Sequence, residues 1–417
     1  MKSISSAIFT NLNKISEWKI KPFGRAAKVP VGELFKMGNF QWLLAHDFSS
    51  IAAKWPTDPG NQFLSAAYLS ALEHAAPNDA SCSYLLVFEK NEAVAGFLIQ
   101  QMSFNTRRSV KSLREATGTG WGDRMKRLLS KVGNFKALVL GNLLLTGENG
   151  YWTTLPAMRF EPLFLQTLKL MEQLAKQLGI GAMMVKDFFQ RDLVVEAAGY
   201  HPLSFQPAMV LELPPEWKSF DDYIEAMSSK YRVRTRRAYK KGQSIDFKSL
   251  AIQEIELRNA ELYELYLQVL DNADFNALTA HPDYFLQLKR HLKEDFDLVG
   301  CFIQQQLVGF FTTIRNHEEL ECHFIGLEAS SNREHQVYLN MLYRMVEKGI
   351  QLGVHQISMA RTALEIKSSV GAVAHQQFSY LRHRLPVLNH ILPYVVRFME
   401  PQEQWIPRHP FSKNETP

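Results

Sequence analysis

The 417-residue sequence predicts a mixed α/β protein in two lobes, and its length and two internal resemblances support that reading. A chain this long exceeds the usual single core, and 46% apolar with 21% charged residues is an ordinary globular balance. The first resemblance links "YLLVFEKNEAVAGFLIQQ" (84–101) to "DLVGCFIQQQLVGFFTTI" (297–314). Each reads as two strands around a short polar turn, with Leu85 matching Leu298, Gly96 matching Gly309 and Phe97 matching Phe310 at an offset of 213. The second links "FLQTLKLMEQLAKQLGIGAMMV" (164–185) to "YLNMLYRMVEKGIQLGVHQISM" (338–359). Both read as an amphipathic helix, a glycine stop and a strand. Leu165/Leu339, Leu168/Leu342, Met171/Met345, Leu178/Leu352 and Gly179/Gly353 align at an offset of 174. Two pairs in the same order imply a duplicated hairpin–strand–helix–strand unit.

The lobes are expected over 1–213 and 214–417, the second with a C-terminal extension. The offsets differ by 39 (213 − 174), so the first lobe holds about 39 extra residues between hairpin and helix. Much of that excess fits a basic insertion over 103–135. There Gly118, Gly120 and Gly122 read as a bend rather than a dinucleotide turn. In "WGDRMKRLLSKV" (121–132), Trp121, Met125, Leu128, Leu129 and Val132 share one helix face, opposite Arg124, Lys126, Arg127 and Lys131. That pattern suits a helix lying on an anionic membrane surface, and equally a lid packed on the first lobe.

Composition narrows the function classes. A net charge of +5 is modest, no stretch of eighteen apolar residues is free of charge, and Asn11, Asn13 and Lys14 interrupt the N-terminal apolar run. Cys82, Cys301 and Cys322 are scattered singly, which fits a reducing compartment. A cytoplasmic protein is expected, with peripheral contact at the inner membrane face if the 121–132 segment docks there. The 13 histidines show no metal-ligand spacing, so no metal is expected, and serine-hydrolase, P-loop and zincin motifs are missing.

Charge does cluster in "SSKYRVRTRRAYKKG" (228–242), with seven Lys or Arg in fifteen positions. Phe220, Ile224, Met227, Tyr231, Thr235 and Ala238 lie at helical spacing. The segment therefore predicts one helix closed by Gly242, with Asp221, Asp222 and Glu225 in its first turns and cations toward its end. A solvated face accounts for the charge. Binding to RNA through 223–241, tRNA included, is a further reading, against which only Tyr231 and Tyr239 are available for stacking.

This stretch resembles the K-x-R-x-x-x-R-x-A-x-K-x-G segment that opens the second lobe of Fem-type peptidyltransferases, two-lobe proteins of the GNAT acyltransferase superfamily. "NQFLSAAYLSALEHA" (61–75) is similar to a first-lobe helix of that group, and "MARTALEIKSSVGA" (359–372) resembles a late strand-to-helix junction. With the repeat, the resemblance covers roughly residues 60 to 385. It implies a mixed sheet in each of two tandem GNAT-like (acyl-CoA N-acyltransferase) lobes, with two strands splaying apart to admit an acyl thioester. A helix N-terminus would take its pyrophosphate. The corresponding turns are "LEASSNREHQ" (327–336), with Ser330, Ser331, Asn332 and Arg333 as donor-binding residues, and "LTGENGYWTTLP" (145–156). Neither carries the Q-x-x-G-x-G/A signature of ordinary GNAT enzymes, which leaves both acyl-CoA and aminoacyl-tRNA open as donor.

Amine acylation needs a base for the attacking nitrogen's proton and an acid or water for the leaving group. Alternation along "ECHFIGL" puts Glu321, His323 and Ile325 on one face and Cys322 and Phe324 on the other, making Glu321 and His323 the base candidates. In "RTALEIKSS", Thr362 and Glu365 have capping-box spacing, and Arg361 and Lys367 beside them could bind an anionic group. Tyr380 is the acid by family analogy only. The function expected is N-acyl or aminoacyl transfer to a small-molecule or lipid-linked amine, with a non-catalytic binding module on the same fold as the alternative.

Overall fold

The computed structural model describes residues 29–77, 79–105, 134–204, 206–271, 278–399 and 405–411. The glycine bend and the 121–132 helix expected in the insertion lie outside them. The first half of the chain runs β1 (Leu34–Met37), β2 (Phe40–Ala45), α1 (Ala66–His74), β3 (Ala80–Glu89), β4 (Glu92–Asn105), β5 (Asn134–Leu140), β6 (Tyr151–Thr153), α2 (Ala157–Gln177), β7 (Ala182–Phe188), α3 (Leu193–Ala197), β8 (His201–Leu203) and β9 (Ala208–Glu212). The second runs α4 (Phe220–Ala226), α5 (Ser229–Lys241), β10 (Asp246–Ser249), α6 (Ile252–Leu257), α7 (Asn259–Asp271), α8 (Tyr284–Leu292), β11 (Phe296–Ile303), β12 (Gln306–Asn316), β13 (Glu319–Leu327), α9 (Ala329–His335), α10 (Val337–Leu352), β14 (Gln356–Ser358), α11 (Leu364–Ser369), β15 (Val373–His375), β16 (Phe378–His383) and α12 (Pro386–Met399).

The duplication is real, and its hairpin register differs from the sequence match. Each hairpin turns on two left-handed residues, Lys90–Asn91 and Gln304–Gln305, the geometry that matches the twist of the flanking strands. Each then carries a bulge just after the turn, leaving Val94 and Val308 as the extra residues. In this frame Leu85 pairs with Phe97 as Val299 pairs with Phe311, one residue on from the match at 213. A slip of one residue reverses every face. Accordingly Leu85 packs beneath α2, whereas Leu298 enters the core shared by the two lobes. The helix match holds as read. Gly179 and Gly353 both take left-handed backbone, and Ile180 N to Ala175 O repeats as Val354 N to Gly349 O.

The sheets run β1-β2-β3-β4-β5-β7-β16-β8, with β6 also pairing β4, and β10-β11-β12-β13-β14-β9-β15. Among the described strands, only β5–β7 and β13–β14 are parallel, as the intervening helices require. The sheets do not divide at residue 213. Strand β9, which ends the first half, pairs with β14 in the second sheet, and β16 pairs with β7 in the first. Each half thus completes the other's sheet. One core joins them: α1 packs on α8, and Tyr68, Tyr84, Tyr284, Phe285 and Phe310 are buried in a single cluster. Helix α2 covers the far face of the first sheet, and α4, α5 and α10 that of the second.

The expected single helix over 220–242 is two. Ser219 and Asp222 form a capping box that starts α4. Met227 then turns extended (ψ 146°), bridges Phe411, and hands over to Ser228, whose N–H goes to Pro410 O. The acidic residues therefore serve α4 and not the basic helix. Arg232 reaches back to the carbonyls of Glu225 and Met227, while Lys230, Arg234, Arg236, Arg237, Lys240 and Lys241 on α5 are exposed.

Candidate functional site

The chemistry-bearing side chains meet where the parallel strands part. Strands β13 and β14 pair only over Glu319–Glu321 and Gln356–Ser358, and β5 and β7 only as far as Leu140 and Val185. Beyond those points lies a buried ionic network between the two sheets. Strand β7 contributes Lys186 and Asp187, both opposite Ser379 of β16 in a bulge. Asp187 has φ +58°, which breaks the alternation of faces so that neighbouring side chains converge. Its carboxylate accepts from Lys186, from Arg361 at 2.5 Å and from Ser379 at 2.9 Å. Arg361 also donates to Gln377 Oε1 at 2.7 Å, and Lys186 to Leu145 O at 2.5 Å.

The segment carrying Arg361 is strained. Ala360, Thr362 and Ala363 all have left-handed φ (53°, 65° and 49°), a conformation costly for residues with a Cβ and concentrated at functional sites. It is tied down by Met209 N to Ala360 O and by Lys367 Nζ to Arg361 O at 2.5 Å. The expected capping box is not formed. Ala363 is the N-cap of α11, left-handed Thr362 makes no cap, and Glu365 pairs with Arg408. Lys367 is buried (6% exposed), so it is no surface charge.

Glu321 is 6% exposed. Burial raises its carboxyl to about 8, with Glu319 adding to the rise and Ser358, Lys367 and Lys186 opposing it. Burial lowers the Lys367 ammonium to about 8 against the attraction of Cys322 and Glu321. Burial would raise Asp187, but Lys186 and Arg361 hold it below the usual carboxylate range. The network thus combines three basic groups with one firmly ionised carboxylate and one poised carboxyl.

His323 takes a different place from Glu321. It shares Glu321's face, as expected, yet its Nε2 lies 2.9 Å from Tyr284 OH, which bonds Tyr68 OH, which accepts from Asn142. Burial lowers its imidazole to about 3, so it is a weak base. Beyond it the expected alternation fails. A register shift opposite Thr312 puts Phe324 in the inter-lobe core beside His323 and Ile325 in the other core. Tyr380 is not brought to this site. It is buried in the core under α2, and its hydroxyl accepts from Asp192 N at 2.5 Å.

The expected phosphate turns are also filled differently. Residues 329–335 form α9, in which Ser331 bonds Glu328, Asn332 takes the N–H of Tyr338 in the first turn of α10, and Ser330 and Arg333 point outward. Asn332 thus holds one of the N–H groups at the start of α10. Residues 145–156 contain β6, and the loop before it gives Leu145 O and Gly147 N to the network. Among the described residues, no group of three or more His, Cys, Asp or Glu side chains is placed to hold a metal ion. Sequence reasoning missed Lys186, Asp187, Gln377 and Ser379; the adjacent charges inside the otherwise apolar "AMMVKDF" were the available signal.

The sheet order and the repeated unit define a mixed α/β protein of two mixed sheets that exchange strands. No family model matches the chain, and a comparison with curated proteins finds no match. Solved structures similar to it include FemX, at 10% identity over 87% of this chain and 99% of that one, with a TM-score of 0.46. A tandem GNAT protein from the clavulanic acid biosynthesis pathway is similar at 9% identity over 83% and 99%, with a TM-score of 0.44. L-PGS from Bacillus licheniformis is similar at 11% identity over 83% and 97%, with a TM-score of 0.41.

Proposed function

We propose that the protein is an N-acyltransferase, moving an acyl or aminoacyl group from a thioester or aminoacyl-tRNA to an amine, with Glu321 as general base. The observation that carries this is Glu321 itself: a buried carboxyl, raised to about 8 by burial and felt by Lys367 and Lys186, where β13 and β14 separate. A base with a pKa near working pH is the effective one. The amine nitrogen bonds to the acyl carbon, and the C–S or C–O bond to the donor breaks. Glu321 takes the amine's proton and returns it to the departing sulfur or oxygen. The neighbouring ammonium groups favour the tetrahedral oxyanion. Calorimetric titration with acyl-CoAs of graded chain length and with aminoacyl-tRNA tests the donor. Binding by neither class sinks the proposal.

A second reading, a binding module without turnover, is favoured by one observation. The seam is occupied by Lys186, Asp187 and Arg361, bonded to one another. Loss of product formation in Glu321→Gln, with melting and donor binding retained, would reject it.

A further inference from the structure

The C-terminal helix α12 leaves an apolar face uncovered. Val387, Leu388, Ile391 and Tyr394 are 72%, 46%, 46% and 69% exposed, and Leu385 just before the helix is 51% exposed. Their spacing of four and three residues makes one stripe along the helix. The helix is not loose at this end. Asn389 accepts from His383 N and donates to Gly199 O, at 2.8 and 3.1 Å, fixing α12 against the edge of the first sheet with the stripe outward.

Beside the stripe, at the base of α12, is a pocket of about 240 Å³. Among the described residues, His201, Arg382, His383, Arg384, Asn389 and His390 line it, none of them acidic. Arg382 is held by Glu172 at 2.5 Å and lies over the Tyr200 ring. His383 Nδ1 accepts from Leu385 N, which leaves Nε2 as the ring's N–H. The Nε2 of His201 is buried and has no partner. Arg384 is exposed and makes no ion pair among the described residues. The volume suits a phosphate group, and Arg382, Arg384 and His383 Nε2 supply donors to it.

We infer that α12 docks on an anionic phospholipid surface, its apolar stripe entering the acyl boundary while the pocket takes a lipid phosphate. The charge of the pocket selects this occupant. An apolar stripe alone would fit a protein partner equally, but a stripe beside a cluster of Arg and His, with Arg384 making no ion pair among the described residues, matches the layered chemistry of an anionic bilayer interface. The inference concerns neither the network at Glu321 nor the 121–132 segment, and it stands independently of acyl transfer.

The test is flotation of the full chain with vesicles of phosphatidylglycerol and phosphatidylcholine, against phosphatidylcholine alone. Wild type floats with the anionic vesicles only. Leu388→Asp with Ile391→Asp, and separately Arg384→Glu, each lower the bound fraction about tenfold or more, with unchanged melting because these side chains are exposed. Equal binding to both vesicle types, or binding that survives both variants, overturns the inference. So does a vesicle-indifferent dimer that the Asp substitutions dissociate, since a second copy would then cover the stripe. Inorganic phosphate that displaces the protein completely would show the pocket acting without the stripe and would overturn it as well.

Discussion

Asp187 and Arg361 hold twin positions in the duplicated unit and are bonded to each other at 2.5 Å across the seam. Their separation, 361 − 187 = 174, is that of Gly179 and Gly353. One copy's acid therefore neutralises the other copy's base at the point where each unit's strands part. The two copies carry opposite charge at this position, and the pair ties the sheets together.

Removing one member should cost far more than the pair's net worth. Asp187→Ala leaves buried Lys186 and half-buried Arg361 without their carboxylate and should lower stability by about 3–5 kcal/mol. Arg361→Met with Asp187→Ala should recover part of that loss. Urea unfolding of the four proteins in the double-mutant cycle measures both. Additive losses would show that the two side chains do not interact.

The raised carboxyl of Glu321 sets a pH signature. Its folded pKa of about 8 lies above the ordinary 4.5, so the folded state holds the extra proton between those values. Stability from this group is complete below about pH 4.5 and lost as pH rises through about 8. Glu321→Gln, which imitates the protonated form, should match wild type near pH 5 and exceed it at pH 8.5 in thermal unfolding. An identical pH profile in both proteins would place Glu321 in water.

His323 gives the opposite sign. Its pKa is lowered from 6.5 to about 3, so the unfolded chain binds the proton first. The stability it contributes is complete above pH 6.5 and lost as pH falls toward 3. His323→Gln retains a hydrogen-bonding group near Tyr284 without a titrating ring. Its melting temperature should fall less steeply than wild type's between pH 6.5 and 4. Parallel slopes would count against the burial of the imidazole.

Strand exchange predicts that the two halves are not separable. Cut after residue 213, the first fragment lacks β16 and the second lacks β9, leaving β7 and β14 each without a neighbour on one side. Neither fragment should give dispersed amide NMR signals alone, and mixing them should restore dispersion. Independent folding of either would contradict the exchange.

The C-terminal segment should stabilise the α4–α5 break. Phe411 lies 5.2 Å from Trp217 and 5.8 Å from Tyr223, ring to ring. Phe411→Ala should cost about 2–3 kcal/mol and speed amide exchange around Ser228. Unchanged exchange there would mean the break is intrinsic to α4 and α5.

Much of this was legible in the sequence because it is local. Helices α2 and α10 follow from their periodicity and their glycine stops, and the hairpins from alternating runs around a short turn. The base candidate Glu321 was legible too, as a carboxylate on a strand of the repeated unit. The hairpin register was read one residue out, because shared letters carry no face, whereas bulges at Val94 and Val308 do. The helix break at Met227 was invisible, and the residue bridged to it, Phe411, is remote in the chain.

The sequence by itself determined that the chain is duplicated, mixed α/β and basic along α5, since periodicity, glycine stops and charge are properties of neighbouring residues. Only the tertiary structure decided which half completes which sheet, and which charges are buried together. Lys186, Asp187, Arg361 and Lys367 are ordinary charged residues in the linear chain. Lys186, Asp187 and Lys367 acquire shifted proton affinities only when folding removes water from around them, and that desolvation depends on contacts between elements far apart in sequence.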